Sequence, residues 1–117
     1  MTHSKIKKNA RLEQQIASLC TQVANGELEK RITLIDPHLS SSNAAHAVNS
    51  AIDQIEVYMR ESATAITSQQ NRNFYRPILK TGTCGLFRSG LEQLQTSLQE
   101  LEEAFWSSQQ DELQTKI

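Results

Sequence analysis

The apolar positions of this 117-residue chain repeat at an offset of 46 residues. Leu28 and Ile32 return as Phe74 and Ile78, and Ala45, Val48, Ile52, Ile55 and Met59 return as Leu91, Leu94, Leu98, Leu101 and Phe105. The last five positions of each set are spaced by alternating steps of three and four. That spacing places side chains on one stripe of an α-helix and makes a coiled-coil seam. The repeated unit is a connector with isolated apolar anchors followed by a heptad helix. It points to a helical module used twice rather than to a catalytic pocket.

Composition agrees with long helices. Only four Gly and two Pro interrupt the chain, and these are the strongest local breakers. With 21% charged and 38% hydrophobic residues it is neither a disordered acidic tail nor a membrane span. A chain this short buries a limited fraction of its surface, so a single copy would have a thin core that association would complete. The net charge of -1 gives no basic field for nucleic acid. Lys5, Lys7, Lys8 and Arg11 open the chain, and Glu100, Glu102, Glu103, Asp111 and Glu112 lie near its end. Solvated helix ends explain both groups; a membrane-proximal basic arm is the sharper reading. No apolar run reaches the roughly 18 residues of a spanning helix, and the N-terminus lacks the apolar stretch of a signal peptide. Cys20 and Cys84 make no disulfide framework. The expectation is a cytoplasmic chain, or a soluble piece of a longer one, with no transmembrane segment.

Along the chain, residues 1–9 are polar and expected to fray. Leu12, Ile16, Leu19 and Val23 then predict a helix over residues 10–25, closed by Asn25-Gly26 because Gly readily takes a left-handed conformation. Pro37 disfavours helix at Asp36, and Ser40, Ser41, Ser42 and Asn43 offer N-caps for the next helix. That helix, over residues 39–70, carries Ala45, Val48, Ile52, Ile55, Met59, Ser62 and Ile66. Ser62 and Gln69 on its seam predict looser packing there. A third helix, over residues 84–113, carries Phe87, Leu91, Leu94, Leu98, Leu101 and Phe105, with Trp106 beside its end; residues 107–117 read as a polar tail.

Connector length bears on direction. The first connector, about 13 residues, reaches roughly 40 Å when extended. The first helix is only about 24 Å long. The chain has room to run back and start the next helix in parallel, whereas antiparallel neighbours usually need only about 2–8 residues. Leu28 and Ile32, and in the second copy Phe74 and Ile78, would be pegs between the helices. Each peg is worth roughly 1.5–3 kcal/mol if fully buried. Two parallel amphipathic helices leave a seam open, and a twofold copy closes it into a parallel four-helix bundle. The fold expected is all-α: a parallel homodimer of two coiled-coil bundle units stacked end to end, residues 10–62 and 52–106, sharing the long middle helix.

These residues resemble a known family. Gly26-x-Leu28-x-x-x-Ile32 between two heptad helices resembles the connector of HAMP domains, the signal-relay modules of bacterial receptors. Ala44-Ala45-His46-Ala47-Val48-Asn49 is similar to that family's second-helix pattern, including its frequent Asn. The stretch from Asn49 to Ser62, and Phe74-Tyr75-Arg76-Pro77-Ile78-Leu79 followed by Gly82, Gly85 and Phe87, resemble the tandem HAMP-type region of soluble bacterial chemoreceptors and related sensors. The chain departs from the pattern at two places. Pro37-His38-Leu39-Ser40 stands where the family starts its second helix with an acidic-Glu-x-Gly motif, and Arg72 stands at the repeat of Gly26. The resemblance implies a signal-transduction module that relays a conformational change from an input to a downstream output domain, in a chemoreceptor, histidine kinase or cyclase. It implies no catalysis, and as site residues the connector positions Gly26, Leu28, Ile32, Phe74 and Ile78 and the seam.

Other chemistry is weakly supported. No His, Cys, Asp and Glu cluster has structural-zinc spacing, so neither metal nor cofactor is expected. Cys84 at a helix start is a candidate redox thiol, with ordinary partial burial the simpler expectation. Thr81-Gly82-Thr83-Cys84-Gly85 lacks the phosphate-loop pattern. Phe74, Tyr75 and Arg76 read as connector residues before they read as a base-stacking platform. Two other readings stay open: a monomeric helical adaptor, and a sensor binding a ligand or redox group in its helical core.

Overall fold

A computed structural model describes residues 3–74 and 77–115. It contains three helices, α1 (His3–Ala24), α2 (Ser42–Gln70) and α3 (Gly85–Thr115), with no strand among the described residues. The chain is therefore all-α. Of the connector motif, Tyr75 and Arg76 lie outside the described residues, as do residues 1, 2, 116 and 117 at the ends.

The first helix starts earlier than the apolar stripe indicates. Residues 3–9 are helical, and Asn9 is buried rather than frayed. The Asn9 Oδ1 accepts the backbone N–H of Ser41 at 3.2 Å, so these polar turns gain a partner that a periodicity argument does not register. At the other end α3 continues to Thr115, with residues 107–112 exposed.

Helices α1 and α2 end in the same way, 46 residues apart. After α1, Gly26 N–H donates to Val23 O (2.9 Å) and Glu27 N–H to Gln22 O (3.0 Å). After α2, Arg72 N–H donates to Gln69 O (3.0 Å) and Asn73 N–H to Ser68 O (2.7 Å). Both are Schellman caps, which need a left-handed residue; Gly26 has φ 91° and Arg72 φ 59°. The substitution of Arg for Gly thus leaves the cap intact, at a conformational cost of about 1 kcal/mol.

The chain divides into two compact units within α2, at Glu56/Val57. In the first, Leu12 and Leu19 from α1, Ile32 and Leu39 from the connector, and Ala45 and Ile52 from α2 form the buried core. Ile16, Val23, Leu28, Ile35 and Val48 pack against it. In the second, Ala65, Ile78 and Leu91 are buried, with Tyr58, Leu94 and Leu98 packed against them. Adding 46 to Leu12, Leu19, Ile32, Ala45, Val48 and Ile52 gives Tyr58, Ala65, Ile78, Leu91, Leu94 and Leu98. The repeat of the sequence is a repeat of the core.

Hydrogen bonds in the first unit and ring contacts in the second fix the direction of the helices within each unit. From the first half of α1, Asn9 and Glu13 bond Ser41, the residue just before α2. Further along, Asn49 of α2 bonds Ile32 of the connector, which shares a core with Leu19. The connector therefore returns along α1, and α1 and α2 run parallel. In the second unit, Tyr58 meets Phe87 near the start of α3 at a ring separation of 6.1 Å. Phe74, beyond the end of α2, meets Phe105 late in α3 at 5.6 Å. The second pair of helices is parallel for the same reason. Gly90 lets the Tyr58 ring lie close against α3: a Cβ there would lie 2.9 Å from Tyr58 Cε2, and the ring would have to shift.

Candidate functional site

The two connectors and the helix faces they leave uncovered are the features that set this chain apart from a simple bundle. The first connector is clamped through its middle. Asn49 accepts the Ile32 N–H at Oδ1 and donates from Nδ2 to the Ile32 carbonyl, both at 2.9 Å. One side chain thus satisfies both polar groups of a buried, non-helical residue, which would otherwise cost about 1–3 kcal/mol apiece. Beside it, Arg31 donates to the Leu28 carbonyl and, through Nε, to Asp53 Oδ1 at 2.8 Å. Asp53 is largely exposed, so this pair contributes less than about 1 kcal/mol and serves mainly to position.

The second connector is held differently. The repeat of Asn49 is Gln95, which makes no such clamp; it lines a groove of about 240 Å³ with Ala65, Phe74, Ile78 and Leu98. Instead, the carboxylate of Glu61 in α2 accepts the Leu79 N–H at 2.8 Å. Glu61 is 1% exposed, and its second oxygen lies 3.7 Å from Arg60 Nε. Burial of a carboxylate is tolerated only with such charge-assisted bonds. At the far end of the connector, Phe74 packs on Phe105 and Trp106, and the Arg72 guanidinium lies 4.5 Å from the Phe105 ring centre.

The pegs and seam residues divide into three groups. Ile32 and Ile78 are buried, each in its own unit's core, and Leu28 and Phe74 are partly buried. Gly26 is exposed and closes α1; its contribution is conformational. On the seam, Leu12, Leu19, Ala45, Ile52 and Leu91 are turned into their own unit's core. Ile16, Val23, Val48, Ile55, Phe87, Leu94, Leu98 and Phe105 are only partly covered. Met59, Ile66 and Leu101 are 55%, 45% and 52% exposed. Within the first unit, fully buried positions alternate with partly covered ones along each stripe. In a heptad seam, that is the distribution expected of helices with one side filled and the other still open.

Several participants were not visible in the apolar spacing. Tyr58 and Ala65 belong to the second core, Leu39 to the first, and Asn9, Ser41, Glu61 and Thr83 are buried polar residues. The offset carried forward from Leu12 and Leu19 lands on Tyr58 and Ala65. Ser62 keeps its Oγ buried without a hydrogen-bond partner, which weakens packing at that seam position.

Among the described residues, no group of three or more His, Cys, Asp or Glu side chains comes together as a metal site. Cys84 is exposed rather than partly buried, as is Cys20. No helix of the described residues is long and apolar enough to cross a membrane. Comparison with protein-family models, with curated proteins and with solved structures gives no match to this chain.

Proposed function

We propose that the chain is a signal-relay module of HAMP type that works as a parallel homodimer. Each helix–connector–helix unit pairs with its counterpart in a second copy, and the partly covered seam residues become the centre of a four-helix bundle. An input that shifts the helices of one unit is passed along α2, which contributes to both units, and leaves through α3 to an output domain. The setting is a bacterial cytoplasmic receptor, kinase or cyclase. The module performs no chemistry and needs no cofactor.

The observation that carries this reading is the double occurrence of one arrangement: two parallel helices, a connector returning between them, and a heptad seam filled on one side. A monomer has no use for half-covered apolar stripes on its helices, whereas a twofold partner buries them. Ser62, with its unsatisfied hydroxyl, and the small Ala45 and Ala65 keep any one packing from dominating. That suits an element balanced between states a few kcal/mol apart.

Sedimentation equilibrium of the chain tests the reading. The expected result is a mass that rises with concentration to that of two chains and no further. A concentration-independent mass of one chain would contradict the relay dimer and favour a helical adaptor.

A further inference from the structure

The second unit carries a device that the first lacks. At the close of α1 the left-handed cap position is Gly26, which adopts φ 91° without strain. At the close of α2 the same position is Arg72, held at φ 59°. A residue with a Cβ is disfavoured in this conformation, and it persists where its surroundings hold it. Here the surroundings include a ring. The guanidinium of Arg72 stands over Phe105 of α3, 4.5 Å from its centroid. Phe105 in turn meets Trp106 edge-on at 5.0 Å, and Phe74 of the connector touches both, at 5.6 and 6.1 Å. Cation, two phenylalanines and tryptophan form one cluster joining the cap of α2 to a point late in α3.

That point is where α3 loses its support. Phe105 is the last partly covered residue of α3 whose side chain is described; residues 106–112 are exposed, although the helix runs on to Thr115. We propose that Arg72 is the bolt of a latch: its contact with Phe105 pins α3 to the end of α2, and opening that contact lets the last turns of α3 loosen or rotate. The cluster lies in one unit of one chain and forms without a second copy. Only its use as an output-side switch rests on the relay reading.

The single tryptophan of the chain, Trp106, reports on the latch directly. Arg72→Gly restores the residue that the first unit uses, so the cap is kept while the cation is removed. Trp106 emission and its quenching by acrylamide are compared with the unaltered chain, together with hydrogen exchange of the amides of residues 107–112. Arg72→Gly is expected to make Trp106 more accessible and to speed those amides by about two- to fivefold, the factor a cation–ring contact at an exposed site is worth. Overall helix content and melting temperature stay unchanged. Phe105→Leu, which keeps apolar bulk but removes the ring, gives the same change, and the two substitutions together add little beyond either alone. Unchanged quenching and exchange in Arg72→Gly would overturn the proposal, as would a change that appears only with loss of helix. A chain that fails to dimerise yet shows these shifts keeps the latch and loses the relay, so the two failures are distinguishable.

Discussion

Ile32→Asp is expected to destabilise the first unit by at least about 3 kcal/mol and to lower its melting temperature by roughly 10 °C or more. Ile32 is 8% exposed and lies in the core between Leu12 and Leu19 of α1 and Ala45 and Ile52 of α2. Asn49 meets both of its backbone polar groups, so the side chain cannot swing outward without breaking two partly buried hydrogen bonds. A carboxylate placed there loses the apolar contacts of isoleucine and has no cation built to receive it; Arg31, its neighbour, is already turned to Asp53. Ile32→Val, which removes one methylene, should cost only about 1 kcal/mol. Thermal melting followed by circular dichroism checks both. A melt for Ile32→Asp within a few degrees of the unaltered chain would contradict the peg role.

Leu91→Ala should cost the second unit about 3–5 kcal/mol, because the side chain is fully enclosed and its removal leaves a cavity. The repeat makes this prediction sharper. In the first unit the large residue is Leu19 on α1 and the small one is Ala45 on α2; in the second, the small one is Ala65 on α2 and the large one is Leu91 on α3. The shared helix carries the small residue both times. Leu91→Ala leaves two alanines where each core has one large and one small side chain. Adding Ala65→Leu recreates the distribution of the first unit and is expected to recover at least about half of the loss, since cores tolerate exchanges that conserve volume. Urea denaturation measures both changes. A Leu91→Ala chain within about 1 kcal/mol of the original, or a double variant no more stable than the single one, would refute this account of the core.

Much of the fold could be read from apolar spacing, because burial is what that spacing reports. The stripes through Leu12, Ala45 and Leu91 place the three helices, Gly26 marks an end, and connector reach implies the parallel direction that the Asn9–Ser41 bond establishes. Other features were hidden for physical reasons. Ala65 and Tyr58 do not stand out as core residues, since alanine is common on any helix face and tyrosine is amphipathic. Asn9, Ser41 and Glu61 are buried only because partners distant in sequence satisfy them, and no local pattern encodes such a partner. Arg72 read as a departure from the repeat, yet its backbone keeps the conformation of Gly26; the ring that accompanies it lies 33 residues away, at Phe105. Met59, Ile66 and Leu101 follow the seam in sequence but stay half exposed in a single chain, because apolar spacing reports a helix face and not whether that face is covered.

In the proposed relay two copies meet in parallel along the open side of the seam, and cross-linking on α2 reports whether they do. Cys20 and Cys84 are first replaced by serine, since both are exposed. Single cysteines are then placed at Val48 and Ile55, which are partly covered, and at the exposed Ala51 as a control. Ile52 is unsuited because its own unit already buries it. With a short bifunctional thiol reagent, Val48→Cys and Ile55→Cys are expected to link to the same residue of a second copy, and Ala51→Cys to link poorly. No same-residue product at either seam position, or equal yields at all three, would contradict the parallel twofold seam.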